Sequence, residues 1–103
     1  MTRIRYDREK LRLSMEGHAK SAPAGEDLVC AALSMLMMCL ERRLRDYGEG
    51  LWLTVKKGDG SACIEARAED EVYEQCRESF DTVFAGFMLL AQERPEYVRV
   101  QEF

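Results

Sequence analysis

The chain has 103 residues, of which 47% are hydrophobic and 33% charged, and its formal net charge is −4. This size and balance predict one globular domain over residues 1–103 that buries one core. No stretch of the sequence is long and apolar enough to cross a bilayer, and the N-terminus alternates charged with bulky residues instead of forming an apolar signal core. We therefore expect a cytoplasmic protein without membrane contact.

The charge is unevenly distributed along the chain. Residues 1–50 carry nine Lys/Arg against eight Asp/Glu, whereas residues 51–103 carry six against eleven. Nucleic-acid-binding proteins usually show a basic face, so this balance disfavours direct binding of nucleic acid. The four cysteines lack the spacing of a zinc site and the density of a disulfide scaffold, which indicates reduced thiols and no metal or cofactor.

The first half of the chain predicts a hairpin followed by a helix. Apolar and polar residues alternate over residues 3–6 and 11–16, with a polar turn between them. From Leu28 to about Tyr47 the apolar residues recur every three or four positions, and Gly48 provides a stop signal. This segment is therefore predicted to be a core helix.

The second half repeats the same order. Residues 51–55 and 62–66 alternate around a turn at 57–60, which predicts a second hairpin. A second helix follows, with acidic residues at its start and Pro95 at its end, and a short strand at 97–100 completes the chain. The order ββαββαβ predicts an α+β fold with two helices packed on a mostly antiparallel sheet. Four aromatic residues are assigned to its core: Trp52, Phe80, Phe84 and Phe87.

His18 and Cys30 are the residues with the clearest chemical potential. His18 ends a strand-like run after Gly17, and Cys30 lies near the predicted helix start, after a loop of small residues. A nearby imidazole and a helix N-terminus both favour the thiolate over the thiol. The pair therefore fits a nucleophile and its general base.

Asp27 and Ser34 are candidates for supporting roles. Asp27 is a good N-cap residue, and as a cap it places Cys30 at the third helical position, where free N–H groups stabilise a thiolate or an oxyanion. Its alternative role is to orient His18. Ser34, one turn after Cys30, either donates a hydrogen bond near the thiolate or permits close helix packing.

Each of these residues also has an ordinary structural interpretation. A histidine at the end of a strand is usually a residue without catalytic duty, and buried cysteines commonly pack as small apolar side chains. The other cysteines, Cys39, Cys63 and Cys76, are predicted to be structural because each falls within a regular element. Three methionines are predicted to fill the core or an interface: Met35, Met37 and Met38.

Together, residues 17–34 read GHAxxxxxGxDxxCAxxS, a pattern that resembles the signature of the ribosomal-processing cysteine protease family, Prp. The resemblance implies that Cys30 is the nucleophile and His18 the general base. It also implies a homodimeric bacterial endopeptidase that removes an N-terminal extension from a large-subunit ribosomal protein. Family members often carry an aromatic residue or glycine after the GHA, whereas residues 20–24 here are Lys-Ser-Ala-Pro-Ala, so substrate contacts are expected to differ.

Two further classes of function remain open at this point. The chain is alternatively a non-enzymatic binding module that associates with the ribosome or its assembly. The third hypothesis is a thiol sensor that uses Cys30. A sensor needs a resolving cysteine nearby, and Cys39 is about two and a half helical turns away on another side of the predicted helix, which makes this the weakest of the three.

Overall fold

The computed structural model describes the backbone of residues 1–17 and 24–103, and the side chains of residues 1–17 and 28–103. The elements follow the predicted order, which confirms the α+β assignment. In chain order they are β1 (Thr2–Asp7), β2 (Arg12–Glu16), α1 (Ala24–Arg45), β3 (Leu51–Gly58), β4 (Ser61–Ala68), α2 (Asp70–Glu93) and β5 (Val98–Glu102). Within the described residues, neither helix carries an apolar stretch that would span a bilayer.

The strands form one sheet in the order β3-β4-β2-β1-β5. All neighbours are antiparallel except β1 and β5, which run parallel. Alternation along the strands sends one set of side chains into a single core shared with both helices. That core contains Ile4, Tyr6, Leu13 and Ile64 from the sheet, Leu33, Leu40 and Leu44 from α1, and Phe80, Phe84 and Phe87 from α2.

The opposite face of the sheet is not covered by the helices. Trp52 lies on this open face with 54% of its surface exposed, so its assignment to the core is wrong. The physical reason is the two-residue period of β3, since Leu51, Leu53 and Val55 pack against the core and the residues between them point the other way. The three phenylalanines of α2 are buried as predicted.

Helix α1 begins earlier than the sequence predicts. It runs from Ala24 to Arg45, whereas the expected start was Leu28 with Asp27 as its cap. Asp27 therefore lies inside the helix, and its assignment as N-cap is wrong. Cys30 is the seventh helical residue, in the second turn instead of the first. Residues 24–27 carry no apolar repeat, and Gly25 reads as a loop residue, so the pattern hides this first turn.

The second hairpin is longer than predicted and its turn is shorter. β3 continues to Gly58 and β4 begins at Ser61, which leaves a connection of two residues, Asp59 and Gly60. Gly60 has a φ of +73°, a conformation that glycine adopts without steric cost. The end of this hairpin lies beside the end of β2, where the N–H of Gly17 donates to the carbonyl of Gly60 at 2.8 Å.

Candidate active site

Cys30 lines a cavity of about 420 Å³ between α1 and the ends of the strands. Its thiol is free and half-buried. Because Cys30 is in the second turn of α1, the first-turn N–H groups are not adjacent to it in the helix, and the effect of the helix dipole fades beyond that turn. The N-terminus of the helix therefore contributes less at Cys30 than it would at a first-turn position.

Gly17 forms part of the opposite wall of the same cavity. Its N–H is bonded to Gly60, and its carbonyl accepts a hydrogen bond of 2.8 Å from the hydroxyl of the buried residue Thr2. It has a φ of +97°, and a Cβ at this position would lie 2.6 Å from the carbonyl oxygen of Met1. Only glycine fits here, and the backbone is fixed at the residue that precedes His18.

His18 itself lies outside the described residues, as does the rest of segment 18–23. Asp27 belongs to α1, three residues before Cys30, but its side chain is also outside the described part. The structure therefore brings together Cys30 and Gly17, the residue that directly precedes His18, around one cavity.

Ser34 lines the cavity one helical turn after Cys30. Its side chain is exposed, so it does not serve close packing of the two helices. Instead, the close approach of α1 and α2 occurs at Gly86, where an added Cβ would lie 2.9 Å from Cδ2 of Leu36. Of the two roles predicted for Ser34, hydrogen bonding in the site is therefore the one compatible with its position.

An ion pair bounds the cavity farther along α1. Glu41 Oε1 accepts from Lys57 Nζ at 2.9 Å, and Glu41 Oε2 lies 2.9 Å from a terminal nitrogen of Arg45. The hydrogen bond from Lys57, and after it the one from Arg45, lowers the pKa of the Glu41 carboxyl. This pair joins α1 to β3, and no sequence pattern predicts it because the two partners belong to different elements with no shared motif.

The cavity follows α1 from Cys30 to Glu41. Cys30 and Glu41 are eleven helical residues apart, a rise of about 16 Å, which equals about five residues of extended peptide. Between them the lining is largely apolar, with a floor contributed by Leu33, Met37, Val55 and Ile64. The cavity is therefore an apolar groove with a free thiol at one end and an ion pair at the other.

The remaining cysteines do not line this cavity among its described residues. Cys76 is fully buried in the core, and burial raises the pKa of its thiol, in agreement with the structural role predicted for it. Cys39 is exposed on α1. Cys63 lies on the open face of the sheet, where Arg12 Nε is 3.5 Å from its sulfur.

Comparison with known proteins points to one family. The family model described as cysteine protease Prp matches residues 1–99. No curated protein matches the chain. A structure of SMU.848 from Streptococcus mutans is 24% identical and has a TM-score of 0.74, with 99% of this chain and 91% of that chain covered.

Two further similar structures are of an essential ribosomal processing protease Prp from S. aureus. One, in complex with a substrate peptide, is 17% identical with a TM-score of 0.82. The other, with a covalently linked product peptide, is 19% identical with a TM-score of 0.80. Both alignments cover 100% of each chain, and at these identities they establish a shared fold.

Proposed function

Because the chain belongs to the cysteine protease Prp family, we propose that it is a cytoplasmic endopeptidase in which Cys30 is the nucleophile and His18 the general base. The observation that carries this proposal is the cavity that Cys30 shares with Gly17, the residue before His18. Two short hydrogen bonds fix Gly17, so the chain enters residue 18 from the wall of that cavity. No cofactor takes part in this reaction.

The reaction proceeds through a thioester. His18 takes the proton of the Cys30 thiol, and the thiolate attacks the carbonyl carbon of the scissile peptide bond. When the tetrahedral intermediate collapses, the C–N bond breaks and the new amine leaves with the proton from His18. Water, deprotonated by His18, then attacks the thioester, which releases the carboxylic acid product and restores the thiol.

Ser34 and Asp27 act in support of this pair. The Ser34 hydroxyl is exposed to the cavity one turn from Cys30, where it is suited to donate a hydrogen bond to the developing oxyanion. Asp27 is three residues before Cys30 in the same helix, a spacing that puts two residues on neighbouring positions of a helix surface. Its role in this proposal is to orient His18, since it does not cap the helix.

The proposed substrate is the N-terminal segment of a bacterial large-subunit ribosomal protein, from which the enzyme removes a short extension. The S. aureus structures hold a substrate peptide or a covalently linked product peptide in a protein of this fold. In the present chain, the groove that starts at Cys30 has the length of about five extended residues, which is enough to bind a short peptide segment on one side of the scissile bond.

The test is cleavage of a peptide that spans such an extension, followed by mass spectrometry. Cys30→Ala should lower kcat/KM by at least about a thousandfold, because no other group replaces the nucleophile. His18→Ala should cost about a hundredfold or more. Cys39→Ala removes an exposed thiol from the same helix and should leave the rate unchanged.

Cleavage that survives Cys30→Ala in a folded protein would refute the proposal. If the unmodified chain binds the peptide but never cleaves it, the alternative of a ribosome-associated binding module is favoured. The Cys39→Ala control separates loss of one particular thiol from a general effect of removing a cysteine from α1.

A further inference from the structure

The open face of the sheet concentrates positive charge in a chain that is acidic overall. Strand register places six cations on this face among the described residues, and all six are exposed. They are Arg3, Arg5, Arg12, Lys56, Arg67 and Arg99. The same face carries three carboxylates, those of Asp7, Glu16 and Glu65. With a formal net charge of −4 for the chain, the charges are segregated between this face and the rest of the molecule.

Most of these cations make no ion pair among the described residues, although Arg3 is a direct cross-strand neighbour of Glu16. Arg3 and Arg99 occupy directly paired positions on β1 and β5, an arrangement of like charges that costs stability. Within the described part of the chain neither of them makes an ion pair, and the same holds for Lys56. Arg12 is the exception, with Glu65 Oε1 at 3.8 Å. A face with this excess of positive over negative side chains is complementary to a polyanion.

Two exposed aromatic rings lie towards opposite edges of this face, each beside an arginine. The guanidinium carbon of Arg67 is 5.4 Å from the ring centre of Trp52, and that of Arg5 is 4.8 Å from the ring centre of Phe103. Both rings are more than half exposed, at 54% and 56%. Four strand spacings, about 19 Å, separate β3 from β5. Paired aromatic and guanidinium surfaces stack on nucleobases, which acidic peptides and lipid headgroups lack.

We propose that the open face of the sheet binds single-stranded RNA, with Arg3, Arg99 and Lys56 on phosphates and Trp52 and Phe103 stacked on bases. This site is separate from the groove at Cys30, which lies on the helix side of the sheet, so both can be occupied at once. The expectation of no nucleic-acid binding rested on the charge of each half of the chain. The alternation of side chains along the strands instead places six cations and three carboxylates on one face of the sheet.

The test is titration of the full-length protein with a fluorescent uridine oligonucleotide of about twelve nucleotides, followed by anisotropy and by the emission of Trp52. Trp52 is the one tryptophan of the chain, so its quenching reports occupancy of this face. For about three phosphate contacts on a single strand, the slope of log K against log salt is about −2, and affinity should fall about twentyfold between about 50 and 200 mM salt.

Two charge-matched variants locate the binding surface. Arg3→Ala/Arg99→Ala should lower affinity at low salt about tenfold and reduce the slope by about 1.4, because two phosphate contacts are lost. Arg42→Ala/Arg43→Ala removes the same charge from the outer side of α1 and should change neither. The first variant also relieves the repulsion between Arg3 and Arg99, so its thermal midpoint should not fall, and its rate of peptide cleavage should be unchanged.

Three outcomes would overturn the proposal. One is absence of salt-dependent RNA binding, or binding that leaves Trp52 emission unchanged. A second is an equal loss of affinity in both double variants, which would indicate non-specific attraction. The third is that polyglutamate of similar charge, or vesicles containing phosphatidylserine, bind as tightly as RNA with the same dependence on Arg3 and Arg99.

Discussion

At the scale of single residues, Tyr6 shows how the core holds a polar atom. Its ring is fully buried, with the rings of Phe80 and Phe84 at centroid distances of 6.0 and 5.0 Å. Its hydroxyl donates a hydrogen bond of 2.8 Å to Asp81, which also lies 3.3 Å from Nε of Arg8. Burial, and after it the Asp81 carboxylate, raises the pKa of Tyr6 far above its usual value.

This raised pKa predicts a loss of stability at alkaline pH. The unfolded chain releases the Tyr6 proton near pH ~10 whereas the folded chain keeps it, so the stabilisation is full below that pH and declines as the pH rises towards the folded value. Tyr6→Phe should lower the free energy of unfolding by about 1 kcal/mol at neutral pH and flatten the decline above pH ~10. Urea unfolding at several pH values measures both effects. Tyr97→Phe is the control, and an equal flattening in that variant would contradict the assignment to Tyr6.

At the scale of elements, the end of β2 determines where the chain enters the proposed catalytic segment. Gly17→Ala should destabilise the protein by more than about 1 kcal/mol, because alanine at positive φ is strained and its Cβ collides with the backbone of Met1. Gly48→Ala is the matched control, since Gly48 also has a positive φ, of +71°, but has no atom within 4 Å of its added Cβ. Chemical unfolding should show the smaller loss for Gly48→Ala.

The same pair of variants tests the position of His18. If Gly17 fixes the entry to residue 18, Gly17→Ala should lower peptide cleavage by at least about tenfold at a temperature where the variant is folded, and Gly48→Ala should not. Equal cleavage in both variants would mean that the hydrogen bonds of Gly17 contribute to stability alone and do not position the base.

The helices and strands could be predicted from the sequence, because apolar residues recur every two positions in each strand and every three or four positions in each helix. The exceptions have physical causes. Ala24 to Asp27 form the first turn of α1 without a large apolar residue or an apolar repeat, so the start of the helix and the cap were wrong. The pair formed by Glu41 and Lys57 joins two elements in space, and no local pattern encodes it. Trp52 was misplaced because aromatic character was given more weight than the alternation of β3.

At the scale of the whole molecule, helix α1 has three sides: one packs in the core, one lines the cavity and one is exposed. One side packs in the core, with Leu33, Leu40 and Leu44 buried. A second side lines the cavity at Cys30 and Ser34. The third carries residues at steps of three, four and three, all exposed and apolar: Leu28, Ala31, Met35 and Met38. The methionines were predicted to be core or interface residues, and Met37 is the one of the three that is buried.

This third side of α1 fits the homodimer that the family resemblance implies. An exposed apolar stripe of this spacing is the pattern with which one helix packs against another, and Met35 at its centre is 57% exposed. We expect light scattering to give twice the 11.9 kDa of one chain. Met35→Lys places a charge in the contact and should raise the dimer dissociation constant at least about tenfold, equivalent to about 1.4 kcal/mol.

Met88→Lys on α2 is the control, because Met88 is an exposed methionine outside this stripe. It should leave the dimer intact. A monomer at all concentrations, or equal dissociation in both variants, would contradict the assignment of the interface to α1.

Since Met38 belongs both to the stripe and to the wall of the cavity, a second copy seated on this side would border the groove at Cys30. Dissociation by Met35→Lys should then raise KM for the peptide more than it lowers kcat, because the chemical groups remain in place while one edge of the groove is lost.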